Sequence, residues 1–364
     1  VALRTTVPLA AALAACTPWQ RVPPETVPAP GVGVAAPDSA PALEEQTSGV
    51  TAVLQAVSPV NDRVAWVAGH DAVVLRTTDG GAAWQRLRVP GSDSLEFRDV
   101  EAFSADVAYL LAAGPGARSR IFKTVDGGRT WTLQFLNAQP QAFYDCLAFW
   151  SPVRGAVVSD AVDGRLVIRR TANGGGRWDS VPGDGVPPAL LGEGAFAASG
   201  TCLVALGDRL AWIATGSPAG SQVYRTTDGG RHWVSAAVPV VSGEAAGPTS
   251  VAFRDAWHGV ALGGRIAVPT DTTNQVAITA DGGATWVRGG RPPFAGAVFG
   301  SAYVPRSQPP VLVAAGPGGL ALSRDDGASW AALSTDAYWA VAFASPRTGW
   351  AVGPRGRITR IRLE

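Results

Sequence analysis

The sequence predicts an all-β protein: a seven-bladed β-propeller of four-stranded antiparallel blades, with six blades as the fallback. Three observations carry this. A phrase of the form Ser/Thr-x-Asp-x-Gly-x-x-Trp, with Asn replacing Asp once, occurs six times. Its tryptophans, Trp84, Trp131, Trp178, Trp233, Trp286 and Trp330, are spaced 47, 47, 55, 53 and 44 residues apart. Short apolar runs of β-forming residues precede every copy. A period of this length marks a propeller or solenoid, in which each repeat is too small to bury its own apolar face.

The phrase itself reads as a hairpin turn. Asp79, Asp126, Asn173, Asp228, Asp281 and Asp325 stand where a short polar side chain can bond to the backbone. The glycines behind them supply the positive φ that a tight turn needs. The Ser or Thr ends one strand and the Trp begins the next. Immediately upstream lie Val73–Leu75, Ile121–Phe122, Leu166–Ile168, Gln222–Tyr224, Val276–Ile278 and Leu320–Leu322. Before these come a second set of runs, Val64–Gly69, Val107–Leu111, Gly155–Val158, Leu210–Ile213 and Gly259–Leu262. Three or four short strands per repeat make one blade.

After Trp330 a further blade begins, with Tyr338–Phe343, Gly349–Gly353 and Arg357–Ile361, and the sequence stops without a turn phrase. Its missing strand must come from elsewhere, because an open sheet edge invites aggregation. Pro18–Val22 resembles Trp84–Leu87, so the expected closing strand lies near Trp19 or in the segment before Val50. About 315 residues over seven blades gives about 45 each, inside the propeller range.

Residues 1–15 read as a signal peptide: Arg4, a short apolar run over 7–15, and small residues before Cys16. Leu13–Cys16 resembles the bacterial lipobox, which makes Cys16 the expected lipidation site; an ordinary cleaved signal is the alternative. Residues 16–48, rich in Pro and Ala, read as a tether, and 49–364 as the propeller. The implied location is the bacterial cell envelope, periplasmic or on the outer face, with the membrane reached only through the lipid. A net charge of +1 argues against nucleic acid as a partner. Cys146 and Cys202, in the inner-strand regions of blades three and four, are read as buried free thiols; in an oxidising compartment they could instead pair.

The phrase is similar to the Asp-box, or BNR repeat. Together with the blade texture of Val64–Gly69 followed by Leu75–Gly81, it makes residues 50–364 resemble the photosystem II stability/assembly factor-like propellers. That resemblance implies a non-enzymatic docking surface that helps to assemble a membrane complex. Sialidases share the Asp-box, yet their Phe/Tyr-Arg-Ile-Pro sequence is absent. Arg120-Ile121, Arg265-Ile266, Arg357-Ile358 and Arg360-Ile361 are followed by Phe, Ala, Thr and Arg.

Binding in propellers concentrates at the central channel, where the inner strands converge. The candidate binding residues there are Arg98, Tyr144, Asp145, Asp160, Glu193, His258 and Trp339. Asp160 is placed in a long connection between the middle strands of blade three, with Asp163-Gly164 read as a hairpin turn. Glu193, in a Gly-rich entry, is expected to form a polar cup with Tyr144, Asp145 and Arg98 able to grip a sugar or a peptide end. Were the chain an enzyme, Glu193, Asp145 and Asp160 would be the catalytic carboxylates of a glycosidase. No cofactor motif and no metal-ligand spacing occurs. The preferred function is a monomeric, protein-binding assembly scaffold; the alternative is a glycan-active propeller.

Overall fold

The computed structural model describes residues 41–363. Trp19, the expected signal peptide and Cys16 lie outside them. Seven four-stranded antiparallel sheets follow one another, each a blade. Blade 1 comprises Leu54–Pro59, Ala65–Gly69, Val74–Thr77 and Gln85–Leu87, and blades 2 to 6 repeat this order. Blade 7 takes three strands from the end of the chain, Ala340–Phe343, Thr348–Val352 and Ile358–Arg362. Its outer strand is Ala42–Gln46, paired antiparallel to the last strand from Ala42↔Arg362 to Gln46↔Ile358. The ring is thus closed by Ala42–Gln46, within the segment before Val50.

The blades hold together in pairs. Seven of the apolar clusters each straddle one blade–blade junction. At the closure, Leu54, Val67 and Leu75 of blade 1 pack with Trp350, Val352 and Ile358 of blade 7. A lone blade would expose both faces; stacking buries them, which is why the sequence repeats.

Each of the six phrases builds the same turn. Thr77 Oγ1 donates to Asp79 Oδ1 at 2.8 Å and accepts from the Gly81 amide at 2.9 Å, while Asp79 Oδ1 accepts from the Ala83 amide at 3.1 Å. Gly80 and Gly81 have φ of +81° and +88°, which a Cβ would strain. The same bonds recur from Thr124, Thr171, Thr226, Thr279 and Ser323. Trp233 and Trp286 return their indole N–H to Gly230 O and Gly283 O.

Strands alternate in direction, so a blade's inner-to-second and third-to-outer connections share one face of the ring. The six phrases lie on that face. The entries to the inner strands lie on the other, called here the channel mouth.

Cys146 and Cys202 are joined as a disulfide, with Cα atoms 5.9 Å apart. This corrects the reading of two free thiols. The inner strand of blade 3 and the entry to that of blade 4 run side by side around the axis, within bridging distance.

Candidate functional site at the channel mouth

The inner strands do not run straight into the channel. Register shifts put an extra residue near the start of four of them: Gln55 in blade 1, Arg98 in blade 2, Asp145 in blade 3 and Thr249 in blade 5. A β-bulge re-aims a side chain and interrupts the ladder. In blade 3 the second strand, Arg154–Val162, carries its own bulge at Asp160. Asp160 therefore sits within a strand, not in a long connection. That connection is the two-residue turn Asp163-Gly164, with φ of +52° and +76°.

One short segment, 194–202, fills the space that these entries surround. Ala197 O accepts from Gln55 Nε2 at 2.8 Å in blade 1, and the Ala197 amide donates to Asp145 in blade 3. Ser199 Oγ donates to Phe299 O at 2.7 Å beside blade 6. Thr201 Oγ1 donates to Ser250 Oγ in blade 5, which is bonded in turn to Ser301 of blade 6, each at 2.7 Å. Gly200 lies so close to blade 2 that a Cβ would stand 2.3 Å from Asp99 Oδ1. Nine residues reach at most about 30 Å when extended. Touching five inner strands over that length requires the segment to cross the axis, so it plugs the channel.

Beneath the plug are four acidic side chains from two neighbouring blades. Burial pushes Asp145 well above the usual carboxylate range, reinforced by the neighbouring charge of Asp160. Asp160, hydrogen-bonded to Asp145, is pushed up to about 6 by burial, against the Ala195 amide that favours its charge. Burial likewise raises Asp99, reinforced by Glu101, although the Leu147 amide donates to it at 2.7 Å. Glu101, two residues further along the strand and only partly exposed, is pushed up to about 8. Arg98 is held by Glu96, Nη2 to Oε2 at 2.5 Å, and its charge reaches Asp145.

The expected polar cup does not form. Tyr144 turns away, its hydroxyl accepting from Arg169 Nε at 2.6 Å and its ring packed on Phe135. Glu193 is buried inside blade 4, taken up by the Leu190 amide (2.6 Å), Thr215 Oγ1 (2.5 Å), Tyr224 OH (2.9 Å) and Gln222 Nε2 (3.2 Å). It anchors the loop that launches the plug. Trp339 is at the mouth, its ring 4.7 Å from Phe299 in a small apolar cluster with Ala198 and Phe196. His258 is on the opposite face, Nδ1 2.9 Å from Asp255 Oδ2 beside the exposed Trp257. Arg98, Asp145, Asp160 and Trp339 thus share the mouth, whereas His258, Tyr144 and Glu193 serve other neighbours.

Between blades 3, 4 and 5 the mouth opens into a cleft of about 470 Å³. Its walls include Asp160, Phe196 and Glu244, together with Gly194, Gly216 and Gly243. Gln55, Ser199 and Thr201, which organise this region, were not among the sequence candidates. The long Trp178–Trp233 interval of 55 residues, with the small-residue run Gly194–Gly200, was their one signal. Among the described residues, no three His, Cys, Asp or Glu side chains are grouped to hold a metal ion.

Fold and site define a seven-bladed propeller with a plugged channel and a cleft at the mouth. No protein-family model and no curated protein matches the sequence. Among solved structures the chain is similar to one described as YCF48 bound to D1 peptide, at 17% identity and a TM-score of 0.60, over 90% of this chain and 100% of that one. It is similar also to YCF48 from Cyanidioschyzon merolae, at 16% identity and a TM-score of 0.60, over 88% and 99%. At such identities the likeness is one of fold.

Proposed function

We propose that this chain is a non-enzymatic, protein-binding propeller that holds a segment of a protein partner at its channel mouth, and that the partner belongs to a membrane complex under assembly. The observation that carries this is the plug. With 194–202 bonded across the axis, a ligand that approaches from this side has no passage through the ring and lies on the mouth. The cleft there, walled by Phe196 and by glycines that carry no side chain, has room for an extended peptide. A similar propeller bound to D1 peptide supports the same use of the fold. Export and a lipid at Cys16 would place the disc at the envelope membrane, in keeping with the lipobox-like Leu13–Cys16.

A glycosidase needs two carboxyl groups about 5 to 10 Å apart across the scissile bond. Asp145 and Asp160 instead share a hydrogen bond, and Glu193 is fully engaged inside its blade. The protein-binding reading is therefore preferred to the glycan-active one.

The test is site-specific photocrosslinking in the native host. A photoreactive residue replaces Glu244 at the mouth or Trp257 on the opposite face, and the adducts are identified by mass spectrometry. Subunits of one membrane complex captured from position 244 and not from 257 are expected. Capture from 257 alone, or no reproducible adduct from 244, would overturn the proposal. Labelling with a tagged fatty acid, lost in Cys16→Ser, tests the anchor.

A further inference from the structure

Resting on the protein-binding reading above, we infer that the cleft is a receptor for a cationic side chain, an arginine or lysine of the bound segment, with Asp160 as its counter-charge and Asp145 behind it. The first ground is sign. The chain as a whole is balanced, with 30 basic and 29 acidic residues, yet the charged residues lining this cleft are Asp160, Glu193 and Glu244, all acidic. Glu193 is taken up within its blade, which leaves Asp160 at the floor and the exposed Glu244 at the rim.

The second ground is an unmet polar atom. Asp145 is 2% exposed, and its Oδ2 accepts no hydrogen bond from any neighbouring donor. A buried carboxylate oxygen without a donor is destabilising, because it has given up water and gained no partner. Asp145 and Asp160 stand side by side, like charges with no cation of the chain between them. A guanidinium or ammonium group would supply the missing positive charge and several donors at once. The nearest cations of the chain are committed elsewhere: Arg98 to Glu96, and Arg265, which borders Gly243, to Asp271 at 2.9 Å.

Glycine opens the way to the pair. A Cβ at Gly194 would stand 2.1 Å from Asp160 Oδ1, so any other residue there would cover the carboxyl group. Gly194 is also bonded to Gly216 through both backbone groups, at 3.1 and 2.9 Å, which fixes this wall of the cleft.

Charge makes the site pH-dependent. The carboxyl groups and bases that face Asp160 are Asp145 and Glu244, with Arg98 beyond Asp145 and Arg265 beyond Gly243. Asp160 is ionised above about 6, so cation binding is expected at pH 7.5 and fades as pH falls below 6.

The experiment uses the full chain and two tripeptide probes, acetyl-Gly-Arg-Gly-amide and the same peptide with citrulline, its neutral isostere. Binding is read from the Gly194 and Gly216 amide resonances at pH 7.5. Saturable shifts with the arginine peptide are expected, with affinity at least about tenfold weaker for citrulline or for Asp160→Asn, the scale of a lost charge-assisted hydrogen bond. Glu244→Gln, at an exposed rim position, is expected to weaken binding about two- to threefold without disturbing the fold. Equal binding of both peptides, no binding of either, or an Asp160→Asn variant that melts like the parent and binds as well would overturn the inference. Partner capture from position 244 alongside such a failure would sink this inference alone; arginine binding without any captured partner would sink the assembly reading and leave the cationic site.

Discussion

Gln46 Oε1 accepts a hydrogen bond from Trp350 Nε1 at 3.1 Å. The same oxygen accepts from Trp84 Nε1 at 3.1 Å, and Gln46 Nε2 donates to Gly80 O at 2.9 Å. One side chain on the closing strand therefore ties blade 7 to the first turn phrase of blade 1. Gln46→Ala is expected to lower stability by about 1–3 kcal/mol, because two indole donors lose their acceptor. Chemical denaturation checks this, and Gln46→Glu, which keeps an acceptor for the two indoles but loses the donor to Gly80 O, should fall between the two.

The disulfide fastens the plug at its exit. Cys146 and Cys202 are 56 residues apart in sequence, and a loop of that size is expected to stabilise the fold by about 2–4 kcal/mol. Melting curves with and without reductant should differ for the parent and coincide for Cys146→Ser. Amide exchange of residues 195–201 should rise on reduction, since this segment has lost a covalent tie.

The turn phrases set the acid limit of stability. Asp126, bonded by the Thr130 hydroxyl and amide, and Asp281, bonded likewise by Thr285, are each held at about 2. A carboxyl group depressed in the folded state contributes stability that is present above its unfolded value of 3.8 and is lost as pH falls towards 2. The double variant Thr130→Ala/Thr285→Ala should be less stable at pH 5 and show a shallower loss between pH 4 and 2, measured by urea unfolding.

The channel carboxylates act in the opposite sense. Glu101, at about 8, holds its proton more tightly folded than unfolded. Its effect is therefore to lower stability as pH rises from 4.5 to about 8. Glu101→Gln should flatten this slope and be the more stable protein at pH 8. An unchanged slope in urea titrations from pH 5 to 8 would refute the assignment.

Much of the architecture was legible in the sequence because it rests on local rules that recur. Six turn phrases fixed the blade period, and the incomplete last repeat announced that the ring borrows a strand. Which segment supplies it was open between Trp19 and the residues before Val50, since strand propensity alone does not fix a partner. Arg98, Asp145, Asp160 and Trp339 stand at or near inner-strand entries, which is what drew attention to them in the sequence and what brings them to the channel mouth. Tyr144 and Glu193 stand at similar sequence positions yet face inward to Arg169 and Tyr224. Alternation of side chains along a strand is shifted by a bulge, and bulges left no mark in the sequence pattern.

By itself, the sequence determined the class of fold, the number of repeats and the chemistry of the turns, because hydrogen bonds between residues two and four apart depend on identity and spacing alone. Only the tertiary structure decided that Ala42–Gln46 closes the ring, that Cys146 meets Cys202, that 194–202 plugs the channel, and that two aspartates share one buried corner. Each of these joins residues far apart in the chain, brought together when neighbouring blades stack to bury their apolar faces.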